Sequence, residues 1–168
     1  MKRIISLFFA LIMITGFCFA SDPAEGFWLS IDDKTGEVTA GWKIYQENGI
    51  LYGHMLSFTD KSDGNYAINC RESYPGFPIP GRVNQMPLVG TPFIFGLTRH
   101  STGDWRGGNV IDPTDGRMYG CRINFHPAGS RVGRRTFETD TLEMRGTIGP
   151  LGRSQFWRKT DERTASSL

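Results

Sequence analysis

Histidine, carboxylate, arginine, serine and cysteine are the side chains with which this chain could do chemistry, and their spacing is uninviting. The three histidines, His54, His100 and His126, show no i, i+2 or i, i+4 pair that would make a local metal clasp. A zinc site would have to be assembled across strands, and each imidazole reads more simply as a surface or rim residue. Asp112-Pro113-Thr114-Asp115-Gly116 echoes a calcium loop but lacks the regular oxygen ligands and the distal Glu. Asp before Pro and Asp before Gly are turn formers. There is no Gly-x-Ser-x-Gly and no phosphate-cradling glycine loop. Gly103 to Gly108 leads into a strand, so it offers no helix N-terminus to an anion. Glu143 and Arg145 stand two apart on one strand face. They form either an inward polar cluster that orients a ligand carboxylate or an outward cross-strand ion pair. No catalytic set, metal or cofactor is therefore expected, and an enzymatic reading ranks behind a binding or structural one.

The cysteines carry information about compartment. Lys2 and Arg3 precede an uncharged run, Ile4 to Phe19, that ends at Ala20 before Ser21. A basic start, an apolar centre and a small residue at the cut describe a secretory signal peptide over residues 1–20. The apolar run of 16 residues falls short of the roughly 20 that span hydrocarbon. Lipid anchoring through Cys18 is disfavoured by the bulky Phe17. The expected product is exported to the periplasm or beyond, with no transmembrane segment, and forms one domain over residues 21–168. It keeps Cys70 and Cys121, an even pair that suggests a disulfide in an oxidising compartment. Such a bridge would stabilise the fold by about 4 kcal/mol in the chain-entropy model. Without Lys2 and Arg3, 17 basic residues face 17 acidic ones. That balance gives no electrostatic footprint for nucleic acid. Arg131, Arg134 and Arg135 read as solvated loop charges.

No window sustains a 3.6-residue period. Period-2 alternation punctuated by glycine turns recurs instead, which predicts short antiparallel strands. The expected strands are Gly26–Ile31, a run from Val38, Ile50–Phe58, Thr91–Leu97, Gly108–Asp112, Arg117–His126, Thr141–Ile148 and Arg153–Lys159. Val38, Ala40, Trp42 and Ile44 share one face. So do Tyr119, Cys121, Ile123 and Phe125, and Leu142, Met144 and Ile148 are placed inward. Asn48-Gly49 is a strong tight-turn signal. Residues 60–90 break the pattern with a dense cluster of Gly and Pro, as a lid over one end or as a passive crossover. The polar tail from Thr160 is expected to fray. Eight strands with local turns predict an all-β, antiparallel up-and-down barrel, since closure removes exposed edges; a sandwich is the rival.

Several pieces together are specific: Gly26-Phe27-Trp28; Pro87-Leu88-Val89-Gly90-Thr91-Pro92; Trp105-x-Gly107-Gly108 leading to Asp112-Pro113 and Gly116-x-x-Tyr119; Leu142-Glu143-Met144-Arg145-Gly146; and Gly152-Arg153-Ser154-Gln155-Phe156-Trp157. On these, residues 26–158 resemble the bacterial exported family known as domain of unknown function 2147. The resemblance implies a lipocalin-like (calycin) barrel and no agreed activity. A second similarity supports the barrel: lipocalins open their first strand with Gly-x-Trp and pack a late Arg over that ring. Here Trp28 is the Trp, and Arg158 or Arg153 would be its structural partner through a cation–π contact.

Aromatic alternation on strands, without a catalytic set, makes a small hydrophobic or amphipathic molecule the expected partner. Trp42, Ile44, Phe93, Phe95, Tyr119, Ile123 and Phe125 would supply contact area, and Arg145 or Tyr119 would fix orientation. The same side chains could equally fill the barrel, which would make the chain an envelope structural or interaction protein.

Overall fold

Alternating strands of this length must bury one face, and here they do so by closing on themselves. The structure, a computed structural model, describes residues 21–60 and 64–168. Residues 1–20, the expected signal peptide, lie outside the described residues. Eight long strands form a closed antiparallel barrel: β1 (Gly26–Ile31), β2 (Val38–Glu47), β3 (Ile50–Phe58), β4 (Ile94–Ser101), β5 (Asp104–Asp112), β6 (Arg117–His126), β9 (Thr141–Ile148) and β10 (Leu151–Thr160). β7 (Arg131–Val132) and β8 (Arg135–Thr136) form a two-stranded ribbon in the β6–β9 connection, and α1 (Glu162–Ala165) follows β10. Neighbours in the ring are neighbours in sequence except at the β6–β9 step and at the seam, where β1 pairs with β10. The up-and-down barrel, not the sandwich, is the architecture.

Asn48-Gly49 turns β2 into β3 with both residues at positive φ, as a tight hairpin demands. The largest departure from the expected strands is at β4 and β5. β4 starts after Pro92 and runs to Ser101, and β5 begins at Asp104. His100 is thus a strand residue, not a loop residue. The polar run Arg99-His100-Ser101 hides this strand because its side chains are exposed to solvent. The ribbon β7–β8 lies where only a loop with basic residues is legible.

The core runs through the barrel centre. Trp28, Trp105 and Trp157 are almost wholly buried, with Ile44, Leu51, Ile94, Leu97, Ile123 and Leu142, while Phe95, in register with Asn109 on the face opposite Ile94 and Val110, is buried against Phe77. Trp42 stacks on Trp157 with ring centroids 5.0 Å apart. On β3 the residues Ile50, Tyr52, His54 and Leu56 are half-buried, while Leu51 and Met55 take the core face. A register shift opposite Gly41 and Trp42 then brings Phe58 into the core beside Ala40. Ile148, expected inward, is 52% exposed at the tip of the β9–β10 hairpin.

One end is sealed by the segment before β1. The buried Asp22 carboxylate accepts hydrogen bonds from Ala24 N (3.0 Å), from Gly103 N in the β4–β5 turn (3.1 Å to Oδ2) and from the Trp105 indole (3.0 Å). Arg99 Nε stands 3.3 Å from the same Oδ2 that Gly103 N reaches. The Trp28 indole donates to Ala24 O (3.0 Å) and meets Phe125 edge-on. At the opposite end, residues 64–93 fold over the β5–β6 turn. The Tyr74 hydroxyl donates to Gly116 O (2.7 Å), and Ala67, Cys70, Val83 and Leu88 are buried beneath. A Cβ on Gly116, itself at φ +65°, would lie 2.1 Å from the Asn69 carbonyl. The only helical turn in this segment, among the described residues, is a 3-10 turn at Val83–Gln85.

The C-terminal tail does not fray. Asp161 caps α1 by accepting from Thr164 N, and Ala165 is fully buried against the outside of the barrel. Ser57 donates to Ala165 O (2.6 Å), and Ala165 O would sit 1.8 Å from any Cβ on Gly41. Only glycine lets the tail dock there. Gly41→Ala is expected to lose about 1–3 kcal/mol through this overlap. Urea denaturation checks it. The loss should vanish when the same substitution is made in a chain ending at Thr160, and a loss of equal size there would place the strain elsewhere.

Candidate functional site

The inward-pointing residues change character along the barrel axis. Near the sealed end they are wholly buried: Trp28, Trp105, Ile123 and Leu142. Toward the other end, the β6, β9 and β10 sector turns Tyr119, Met144, Gly146 and Gln155 inward, and each keeps partial solvent exposure. Their facing follows from register. Gly146 pairs with buried Cys121, Met144 pairs with buried Ile123 on one side and Gln155 on the other, and alternate residues share a face. A Cβ on Gly146 would meet Tyr119 Cβ at 3.6 Å and Val110 at 4.0 Å, ordinary contact distances. The absent side chain lets Tyr119 on β6 and Val110 on β5 close to contact distance over β9. Tyr119 is anchored at the rim by Asp115 (3.2 Å), and the Trp157 indole donates to Gln155 Oε1 (3.2 Å). Arg153 bridges to Asp33 of the β1–β2 turn across the same mouth.

The expected contact residues divide on this geometry. Ile44 and Ile123 lie deep in the packed core, Phe93 is fully buried, Phe95 is buried on the other face of β4 against Phe77, and Phe125 belongs to the sealed end. Trp42 is buried at the centre, opposite Trp28 and stacked on Trp157, and Tyr119 lies toward the mouth. Arg145 is on the outer wall. It pairs in register with Arg122 on β6 and Ser154 on β10, so the outward reading of Glu143 and Arg145 is the one realised. Glu143 finds His126 and Ser154 rather than Arg145.

The partner over Trp28 is also corrected. Register sets Trp28 opposite Lys159, whose Nζ stands 5.6 Å from the ring centroid. Arg158, one residue away, necessarily points to the other face, and Arg153 lies at the far end of β10 beside Asp33. The sequence pattern supplied the cation but not its identity. The Cys70–Cys121 bridge is not present, and both thiols are free and buried. Cys70 lies against Gly116 in the β5–β6 turn, whereas Cys121 sits five residues further along β6, opposite Gly108. At about 3.3 Å per residue that offset exceeds the Cα separation of roughly 4–7 Å a disulfide allows. Burial pushes the Cys121 thiol up to about 12, so it stays protonated and unreactive.

A second concavity, about 370 Å³, lies on the outer wall beneath the β7–β8 ribbon and is lined by Arg122, Asn124, His126, Val132, Glu143 and Arg145. The His126 imidazole stacks against Phe137, which the ribbon buries, and its Nε2 lies 3.0 Å from Glu143 Oε2. Ser154 donates to Glu143 Oε1 (2.6 Å) and accepts from Arg145 (3.1 Å). Burial opposes ionisation of Glu143, but Ser154, His126 and Arg122 outweigh it and hold the carboxyl below its usual range. Nothing in the sequence short of the β6–β9 register could have shown that His126 and Glu143 meet. No group of three or more potential metal ligands occurs among the described residues, nor is any helix there long and apolar enough to cross a membrane.

A closed eight-stranded antiparallel up-and-down barrel is a lipocalin-like fold. A solved structure from Helicobacter pylori, described as belonging to the lipocalin family, shares this fold with a TM-score of 0.62 and 15% sequence identity, covering 84% of this chain and 85% of that one. The family described as "Uncharacterized protein conserved in bacteria (DUF2147)" matches residues 26–159, and the chain belongs to it. None of the curated proteins compared with it matches.

Proposed function

We propose that this is an exported binding protein that takes a small amphipathic molecule at the mouth of its barrel. The observation that carries the reading is the asymmetry between the ends. One is closed by Asp22 and Trp28; at the other, where residues 64–93 cover the β5–β6 turn, Tyr119, Met144, Gly146 and Gln155 of the neighbouring sector face inward and remain partly open to solvent. The Trp42–Trp157 stack fills the centre, so the ligand rests on it rather than passing through. An apolar portion would lie against Met144 and Tyr119, gaining about 25 cal/mol per Å² of buried surface. A polar portion would stay near Gln155 and Arg153. The fold similarity to a lipocalin supports this use of the barrel's mouth, and the charged start and apolar run of residues 1–20 support export.

Gly146→Leu tests the site. Its side chain would project into the mouth beside Tyr119 and Val110 while its outward neighbours keep their partners. Binding of the fluorescent amphiphile 1-anilinonaphthalene-8-sulfonate to the native protein is expected to weaken at least about tenfold, with the urea midpoint changed little. Gly146→Ala, which adds only an ordinary contact, should bind nearly as the parent does. Equal probe binding by the parent and the leucine variant would remove the mouth as the site.

A further inference from the structure

The outer wall presents an arrangement that barrel closure does not require. Arg122 on β6 and Arg145 on β9 are direct cross-strand partners. Like charges in that relation destabilise a sheet, and an arginine there is normally matched with a carboxylate. In this fold the two guanidiniums splay apart instead. Arg122 leans toward β5, where Asp104 stands 3.3 Å away and Asn124, with its amide oriented to satisfy both neighbours, accepts from it at 2.8 Å. Arg145 leans over Gly152 on β10, and its only hydrogen-bond partner among the described residues is the neutral Ser154 hydroxyl. It makes no ion pair there.

The 370 Å³ cleft lies where the two side chains part, and the β7–β8 ribbon roofs it with Val132. The ribbon also adds charge of the same sign. Arg131, Arg134 and Arg135 are exposed along it, and Arg135 is held over the Phe156 ring at 4.1 Å. The two carboxylates nearby are already committed: Asp104 to Arg106 and Arg122, and Glu143 to His126 and Ser154. What is left without an anion is the Arg145 guanidinium, beside the Arg122 fork that Asp104 holds in place and with Val132 on one side.

We propose that this cleft binds a small oxyanion, a phosphate or a carboxylate group, bridged between Arg145 and Arg122. Planar guanidiniums present paired N–H donors that match the oxygens of either group. A bound anion would convert the cross-strand repulsion into a shared contact and would hold the ribbon against the wall. The site is separate from the barrel mouth and does not depend on it, because Arg145 and Gly146 point to opposite faces of β9.

The test is a titration of the folded protein with inorganic phosphate and, separately, with succinate, followed by backbone amide NMR shifts at low ionic strength. Saturable shifts centred on β6, β9 and the ribbon are expected for at least one anion, and the tighter of the two names the source. Arg145→Gln should weaken binding about tenfold or more while leaving the remaining spectrum intact. The Gly146→Leu variant should bind the anion as the parent does, which separates this site from the mouth. Absence of saturable shifts with both anions would overturn the proposal. So would shifts confined to Arg131 and Arg134, or binding that Arg145→Gln leaves unchanged. If Arg145→Gln fails to fold, competition by chloride decides: displacement across the cleft amides supports the site, and persistence of the shifts counts against it.

Discussion

Replacing Asp22 with alanine should lower the unfolding free energy by about 2–4 kcal/mol, because two buried donors lose their acceptor together. The Trp105 indole N–H and the Gly103 amide both end on this carboxylate, and neither has room to turn to water. Ala24 N loses the same partner, and Arg99 its nearest anion. Asp22→Asn retains an acceptor and should recover part of the loss. The check is a urea melt of the two variants beside the parent. A loss under about 0.5 kcal/mol for the alanine variant, typical of ordinary surface positions, would mean the segment before β1 does not seal the barrel.

The second large effect belongs to Trp157. Its ring is buried to within 1% and lies against Trp42 at the barrel centre. Truncation to alanine should cost about 3–5 kcal/mol, the loss expected when a large aromatic is removed from a packed core. Trp157→Phe keeps most of the volume and should cost about 1–2 kcal/mol. The pair of values separates two pictures of the interior. In a packed core the alanine variant is much the worse of the two. In a hollow chamber Trp157 would border empty space, and both variants would fall near 1 kcal/mol. Denaturant unfolding followed by far-ultraviolet circular dichroism measures both without relying on the tryptophan that has been removed.

The architecture was largely legible because period-2 alternation is strong in strands with one apolar face. β1, β3, β6 and β9 begin and end where the pattern places them. β4 and β5 were blurred because Arg99, His100 and Ser101 are exposed and carry no alternation to read. The candidate sites were much less legible, for a different reason. Which face a residue takes can be read along one strand, but which residues meet depends on register between strands distant in sequence. His126 meets Glu143 because β6 pairs with β9, and Arg122 opposes Arg145 for the same reason. The Trp28 partner shows the limit within a single strand: one step along β10 separates the outward Arg158 from Lys159 over the ring. Cysteine parity suggested a bridge, but parity carries no distance, and the strand offset keeps the two thiols apart.

The seam of the barrel has a kinetic consequence. β1 is hydrogen-bonded to β2 on one side and to β10 on the other, so the earliest strand gains its second neighbour only from the latest. Hairpins such as β2–β3 and β9–β10 can form as soon as their residues emerge, but the ring cannot shut until Thr160 is available. Until then β1 offers a bare backbone edge on which another chain could add. Most of the ring is local hairpins, so the loop-closure cost that slows sheet topologies relative to helical bundles falls mainly on this seam. Closure of the ring therefore waits on the meeting of β1 and β10, and that interval is when the molecule most needs protection from its own kind.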